Sequence, residues 1–276
     1  MLFGRGKQTG KTVLLLDVEN GSVASALAYI TPADAPRLFG ETRITIPLLK
    51  THAPGLIAKE VEAAARKALQ HIYEVAARVR VHGAPTPLGT IAHTAVFLSP
   101  PWAAFDMTGS AMPHPITQSL YNALGEFPGL HMHTSFHPLS AAVAHIVPSI
   151  FAHEERYLLC IVSGEVMEIV GLERAPHIQV TGHATLPLGR NSILRTLMSH
   201  GGLGEAEALS LLTLSARGAQ HTALNEPLAS FAAHMAAEFK SVAKPLMVAA
   251  PASSVFVIAE ESTGEWFART LAEHPS

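Results

Sequence analysis

The chain has 276 residues, 48% of them hydrophobic and only 15% charged, which is enough apolar material for a substantial core and excludes a disordered protein. Its 19 basic and 22 acidic side chains give a net charge of -3 with no dense Lys/Arg stripe, so the electrostatic footprint of a nucleic-acid binder or of a protein coating an anionic membrane is absent. A single cysteine, Cys160, excludes an internal disulfide framework and fits a reducing, cytoplasmic setting.

Residues 1–11 are basic and Gly-rich without the apolar segment of a signal peptide, and read as a flexible tail. Within that tail, Gly4 to Thr12 imitates a phosphate-binding P-loop, but Arg5 stands where the first glycine must be, and the segment precedes the first strand instead of following one. Thr12 to Val18 is a β-branched and Leu run closed by Glu19-Asn20-Gly21-Ser22, after which Val23 to Ile30 resumes, predicting two strands joined by a tight turn. Alternation of Ile44 and Ile46 with Arg43 and Thr45 predicts a third strand over 42–48. The break at Pro54-Gly55 opens a long helix carrying Ile57, Val61, Ala65, Leu69, Ile72 and Val79 on one stripe, with Glu62/Arg66 and Glu74/Arg78 as i,i+4 pairs on the wet side.

A fourth strand is expected over 91–98, stopped by Pro100-Pro101, and a short helix over 115–124. The order then recurs: strands over 157–162, 166–172 and 177–186, with a Ser163-Gly164 turn after the first of them. Helices are expected over 193–198, 205–216 and 228–242, a last strand over 255–259, and a final helix with Ser262-Thr263-Gly264-Glu265 as its capping box. No stretch spans a bilayer, because the most apolar late segment, 245–259, is short and interrupted by Pro and Ser. Three hairpin-linked strands at the start of each round imply a duplicated α/β plan with mixed sheets, unlike a pure βαβ chain.

The order of elements, together with Leu15-Leu16-Asp17-Val18-Glu19-Asn20-Gly21-Ser22-Val23 and the stretch from Leu159 to Ile169, resembles the two phosphate-binding hairpins of the actin, sugar kinase and Hsp70 superfamily. Within it the chain is similar to the bacterial FtsA cell-division and PilM pilus-assembly proteins. Phe97-Leu98-Ser99-Pro100-Pro101-Trp102, Leu186-Pro187-Leu188-Gly189-Arg190-Asn191 and Glu205 to Leu212 add to that likeness, which spans residues 12–100 and 137–272. The resemblance implies a duplicated mixed-sheet, actin-like (ribonuclease H-like) fold with a cleft between two halves, 12–136 and 137–276. The stretch from Trp102 to His131 is too short for the extra subdomain these proteins insert in the first half, and either connects elements or serves as an interaction surface.

The resemblance also implies ATP and Mg²⁺ as cofactors. Residues 17, 20, 21 and 22 (Asp17, Asn20, Gly21, Ser22) would form the first phosphate site, and Ser163, Gly164 and Glu168 the second. Four residues depart from the pattern. Glu19 places a carboxylate in the first turn, Ile161 stands where a Mg²⁺-holding Asp is expected, and Glu260 and Glu261 replace glycines of the adenosine-side loop. These departures imply weak or lost nucleotide binding and no catalytic residue. The resulting expectation is a noncatalytic scaffold of cell division or pilus and envelope assembly, cytoplasmic or peripheral at the inner membrane, acting through protein partners or self-association. An active Mg²⁺-ATPase using Asp17 and Glu168 is the alternative.

The residues themselves leave other readings open. Asp17 either holds a hydrated cation or ends a strand and caps its turn, and Glu168 reads as a solvent-facing strand residue. Cys160, inside an apolar run, reads as a buried small hydrophobe. Alternate histidines at His131, His133 and His137 share one strand face and suggest a metal-binding protein, with His114, His145 and His153 as further ligands, against the plainer reading of hydrogen-bonded imidazoles.

Overall fold

The computed structural model describes residues 10–32, 34–49, 54–81, 91–103, 115–130, 133–175, 177–219, 224–247 and 252–273. The tail up to residue 9, with most of the P-loop-like segment, lies outside them, as do His114 and His131. The chain divides into two compact units. The first ends at residue 137, and the second takes residues 99–109 and everything from 138 onward.

The first unit is built on β1 (Lys11–Val18), β2 (Ser22–Ile30), β3 (Arg37–Thr45), β4 (Ile91–Leu98) and β5 (Thr134–Pro138), in the sheet order β3-β2-β1-β4-β5. The first three strands are antiparallel neighbours and β4 runs parallel to β1. Period-2 alternation decides which way each side chain points. Leu14, Leu16 and Val18 are fully buried, and that face carries α1 (Pro54–Val81), with α2 (Pro115–Gly125) beside it. Val61, Ala65, Leu69 and Ile72 form the buried stripe of α1, and the Ser25 hydroxyl donates to the Ala68 carbonyl at 3.2 Å. The expected wet-side pairs form, Arg66 with Glu62 at 2.6 Å and Arg78 with Glu74 at 3.2 Å. The Val79 side chain lies outside the described ones.

The second unit repeats this plan. Strands β6 (Arg156–Val162), β7 (Met167–Ala175), β8 (His177–Leu186) and β9 (Ser254–Ile258) are ordered β8-β7-β6-β9, with antiparallel hairpins and a parallel β9. One face carries α3 (Leu139–Ile150), whose Ala144 and Val147 pack with Tyr157, Leu159, Ile161, Val170 and Leu172. The unit also holds α4 (Arg190–Gly201), α5 (Glu205–Ala216), α6 (Asn225–Leu246) and α7 (Glu261–Glu273). Gly171 and Gly182 let α6 close onto β7 and β8, since a Cβ on either would fall within 3.0 Å of Thr181 or Leu246 atoms. No described helix is long and apolar enough to cross a membrane.

Three expectations are corrected. Strand β3 begins at Arg37 and stops at Thr45, earlier at both ends than the 42–48 the alternation predicted. Gly40, at φ 63°, is where the pairing with β2 shifts register, so a residue that reads as a breaker is a bulge inside the strand. Helix α3 was not foreseen: the short Ala-rich run after Pro138 forms it, with Pro148 inside. The capping box expected at Ser262 is misplaced by two residues. The helix starts at Glu261, the Glu260 carbonyl already accepts from the Thr263 and Gly264 amides, and the Ser262 hydroxyl is buried with no hydrogen-bond partner. The reciprocal contact occurs at α5 instead, where the Gly204 amide donates to Glu207 Oε2 at 2.9 Å.

Leu16 sits at 0% exposure between sheet and helix, whereas Leu38 on the edge strand is 51% exposed. Leu16→Ala is therefore expected to cost about 2–5 kcal/mol through lost burial and a cavity, and Leu38→Ala no more than about 0.5 kcal/mol. Urea unfolding of both variants checks this, and similar losses for the two would contradict the assigned faces.

Candidate functional site

Each unit carries its first hairpin at the same place. In the first, the Glu19 amide donates to the Ser22 carbonyl at 2.9 Å around Asn20-Gly21. In the second, the Ser163 amide donates to the Val166 carbonyl at 2.9 Å around Gly164-Glu165. Register makes the two comparable residue by residue. Asp17 lies two positions before the first turn, opposite Ala24 and beside Phe97 of β4, and Ile161 lies two positions before the second, opposite Glu168 and beside Ile258 of β9. The one carboxylate of this kind in the first hairpin thus has an apolar counterpart in the second.

Asp17 does not cap its own turn. It points to the face of the first sheet opposite α1, where Arg43, opposite Ala24 in the β2/β3 pairing, reaches across. One Arg43 guanidinium donates to Asp17 Oδ2 at 2.8 Å, to Glu19 Oε1 at 2.7 Å and to the Ser22 hydroxyl at 2.6 Å. Burial alone would lower the Arg43 pKa, but the Glu19 and Asp17 charges outweigh it and hold it above the ordinary arginine value. Asp17 Oδ1 is buried without a hydrogen-bond partner. Beside the cluster is a cavity of about 550 Å³ lined by Leu15, Ala24, Ala26, Leu38 and Phe97 with Asp17, Glu41 and Arg43. Of the remaining expected residues here, Asn20 and Ser22 are buried.

In the second hairpin the turn is consumed by a helix. Its carbonyls accept the leading amides of α4: Glu165 from Gly189 at 3.1 Å, Ser163 from Arg190 at 3.0 Å and Gly164 from Asn191 at 2.7 Å. The amides that a helix N-terminus offers to an anion are thereby already satisfied. The turn's side chain is fixed as well, because Glu165 takes two bonds from Arg195, both at 2.6 Å, and one from Asn191 at 2.9 Å. The Glu165 hydrogen bonds hold the Arg195 guanidinium above its usual pKa. The Ser163 hydroxyl turns back on the Val166 carbonyl at 2.9 Å.

Glu168 is not the solvent-facing residue that its charge suggested. It is fully buried under α3, where Oε1 accepts from the Ser140 hydroxyl and meets His183 Nε2, each at 2.9 Å, while Oε2 has no hydrogen-bond partner. A strand residue that faces a helix is buried whatever its polarity, and α3 was the element the sequence did not announce. At the strand-to-helix loop before α7, Glu260 is ion-paired with the buried Arg190. Arg43, Arg190 and Arg195, which occupy these sites, were not singled out from sequence. The nearest signal was three acidic residues, Glu19, Glu260 and Glu261, placed where a phosphate-binding fold wants none; two of them, Glu19 and Glu260, hold a guanidinium.

Among the described residues, no group of three or more His, Cys, Asp or Glu side chains is placed to hold a metal ion. Of the expected histidine set, His133 is exposed and His137 is hydrogen-bonded to Ser135.

No family model matches the chain, and no curated protein does. Solved structures do. A PilM-PilN type IV pilus biogenesis complex aligns over 95% of this chain and 85% of its own, with a TM-score of 0.64 at 12% identity. The ethanolamine utilization protein EutJ from Carboxydothermus hydrogenoformans aligns over 95% and 80%, with a TM-score of 0.57 at 14% identity. Likeness at this identity speaks for the fold, and the fold is the duplicated actin-like one.

Gly189 has an ordinary φ of -81°, so its requirement is space: a Cβ there would lie 2.5 Å from the Gly164 carbonyl oxygen and 2.5 Å from the Val166 nitrogen. Gly189→Ala is expected to part the hairpin from α4 and cost roughly 1–3 kcal/mol as an overpacking change, seen as faster amide exchange at residues 189–191; unchanged exchange there would remove the argument. Burial pushes the Cys160 thiol up to about 12, so it should resist a disulfide reagent at pH 8 until the protein is unfolded. Prompt labelling of the folded protein would show the strand to be open.

Proposed function

We propose that this actin-like chain is a noncatalytic scaffold that binds nucleotide weakly or not at all and works through protein contacts in pilus or envelope assembly or in cell division. The observation that carries the reading is the Arg43 guanidinium seated on both carboxylates of the first hairpin. A phosphate-binding hairpin works by presenting backbone amides and, through a carboxylate, a hydrated cation. Here a side-chain cation already neutralises that carboxylate, and Glu19 adds a charge that repels phosphate.

Other features favour the same reading. The second hairpin spends its carbonyls on α4, and Glu260 with Arg190 fills the adenosine-side loop. Helix α3 leaves Ile146 and Ile150 exposed, followed by Phe151, at 53%, 65% and 45%, an apolar surface of the kind that partners cover. The matched PilM structure is, by its name, a complex with PilN in pilus biogenesis, which makes the cytoplasmic side of an inner membrane the setting we assign, with attachment through partners. One observation favours an ATPase instead: Asp17 Oδ1 is buried and has no hydrogen-bond partner, an oxygen that a hydrated Mg²⁺ would satisfy.

A thermal melt with and without millimolar ATP and Mg²⁺ separates the two readings. A site with a dissociation constant one hundredth of the ligand concentration adds about 2.7 kcal/mol of stability and raises the midpoint. The scaffold reading expects no rise. A Mg²⁺-dependent rise that Asp17→Ala abolishes would establish a working nucleotide site and end that reading.

A further inference from the structure

On the same sheet face as Asp17, but at the other side of β1, two imidazoles converge on one hydroxyl. His93 stands on β4 opposite Val13, and Ser135 and His137 stand two apart on the adjoining β5, so all three point to one face. His93 Nε2 lies 2.7 Å from the Ser135 hydroxyl oxygen, and His137 Nε2 lies 2.7 Å from that same oxygen. All three residues are half-buried, and Phe97 packs against the His137 ring at 5.9 Å. The imidazoles therefore come from two hydrogen-bonded strands of a rigid sheet, with their Nε2 atoms aimed at one point.

We propose that His93 and His137, with the Ser135 hydroxyl between them, form a binding site for a borderline transition-metal ion, Zn²⁺ or Cu²⁺. Imidazole nitrogen suits these ions, and an Nε2–metal bond is about 2.0–2.1 Å long. Without metal, Ser135 gives its single proton to one imidazole and accepts from the other, so one ring carries its proton on Nε2. Binding requires both rings to hold their proton on Nδ1, leaving both Nε2 lone pairs for the ion. The hydroxyl is the third donor and water completes the coordination. Strand pairing has already met the cost of bringing the rings together, so the second imidazole adds to the first as a chelate. The histidine series legible in the sequence pointed along one strand. The partner that makes a pair lies on the neighbouring strand, 44 positions before His137 in the chain.

The test is calorimetric titration of the full chain with ZnCl₂ and, separately, CuCl₂, with the copper form followed by electron paramagnetic resonance. Because the chain has 16 histidines, the readout is what the variants remove. One equivalent of tight binding is expected. His93→Ala and His137→Ala should each weaken it by about 10²-fold or more, as loss of a chelate requires, and the double variant should leave no binding at the site. Ser135→Ala should retain most of it. His93→Gln and His137→Gln, with unfolding midpoints measured alongside, keep the test valid if an alanine variant misfolds. Absence of binding at tens of micromolar metal, or binding indifferent to both histidines, would overturn the proposal.

Discussion

The first amides of a helix must find acceptors, and in the second unit the answer to that requirement shapes everything around it. The β6/β7 turn supplies three carbonyls to the start of α4, an approach close enough that position 189 has room for no side chain. Once the turn is committed to the helix, its orientation, the Glu165 bonds to Arg195 and Asn191, and the path of the chain from β8 into α4 follow together. The hairpin of the first unit is tied at the β3 end, where the Ile46 amide donates to the Gly21 carbonyl, and by the Arg43 side chain across the sheet. In the second unit the turn is thus tied by backbone bonds to a helix, and in the first a side-chain cation adds to the backbone bond from Ile46.

Much of this was readable before any coordinates. Strand β4, strand β8 and helix α5 fall on the predicted residues, because their apolar patterns are strong and their ends are punctuated by Pro, Gly or a capping glutamate. The duplication was readable for the same reason: the hairpin signals recur in order. What failed shares one cause, local signals overruled by neighbours. The third strand was expected only from residue 42, but β2 continues to pair with it back to Arg37, past a bulge at Gly40. Ser262 looks like a cap, yet Glu260 sets the helix start. Glu168 looks wet by composition, but its side chain meets α3, with Ser140 and His183 to receive it.

The candidate site was legible as positions and illegible as chemistry. The predicted order of elements puts Asp17 and Glu19 at the end of β1 and in its turn, Glu168 in β7, and Glu260 between β9 and α7, where the structure has them. It did not reveal that Arg43 and Arg190 answer three of these charges or that His183 and Ser140 answer the fourth, because those partners are 15 to 70 positions away in the chain. Charge pairing across a sheet face depends on register, and register is settled by the whole hairpin.

The pairing has a thermodynamic reading that bears on how such a fold survives loss of its ligand. In a nucleotide-binding protein, ligand and cation stabilise the folded state by mass action, and they also neutralise acidic groups that the empty site would leave in repulsion. Removing the ligand removes both effects. A chain that answers the same carboxylates with its own guanidinium groups no longer needs the ligand for either. The substitution is not free: a half-buried ion pair loses hydration, and an exposed one adds little. Arg43 meets this cost by binding Asp17, Glu19 and Ser22 at once, so one immobilised side chain satisfies three groups. Any other cation reaching Asp17 would have to displace a guanidinium that two carboxylates hold.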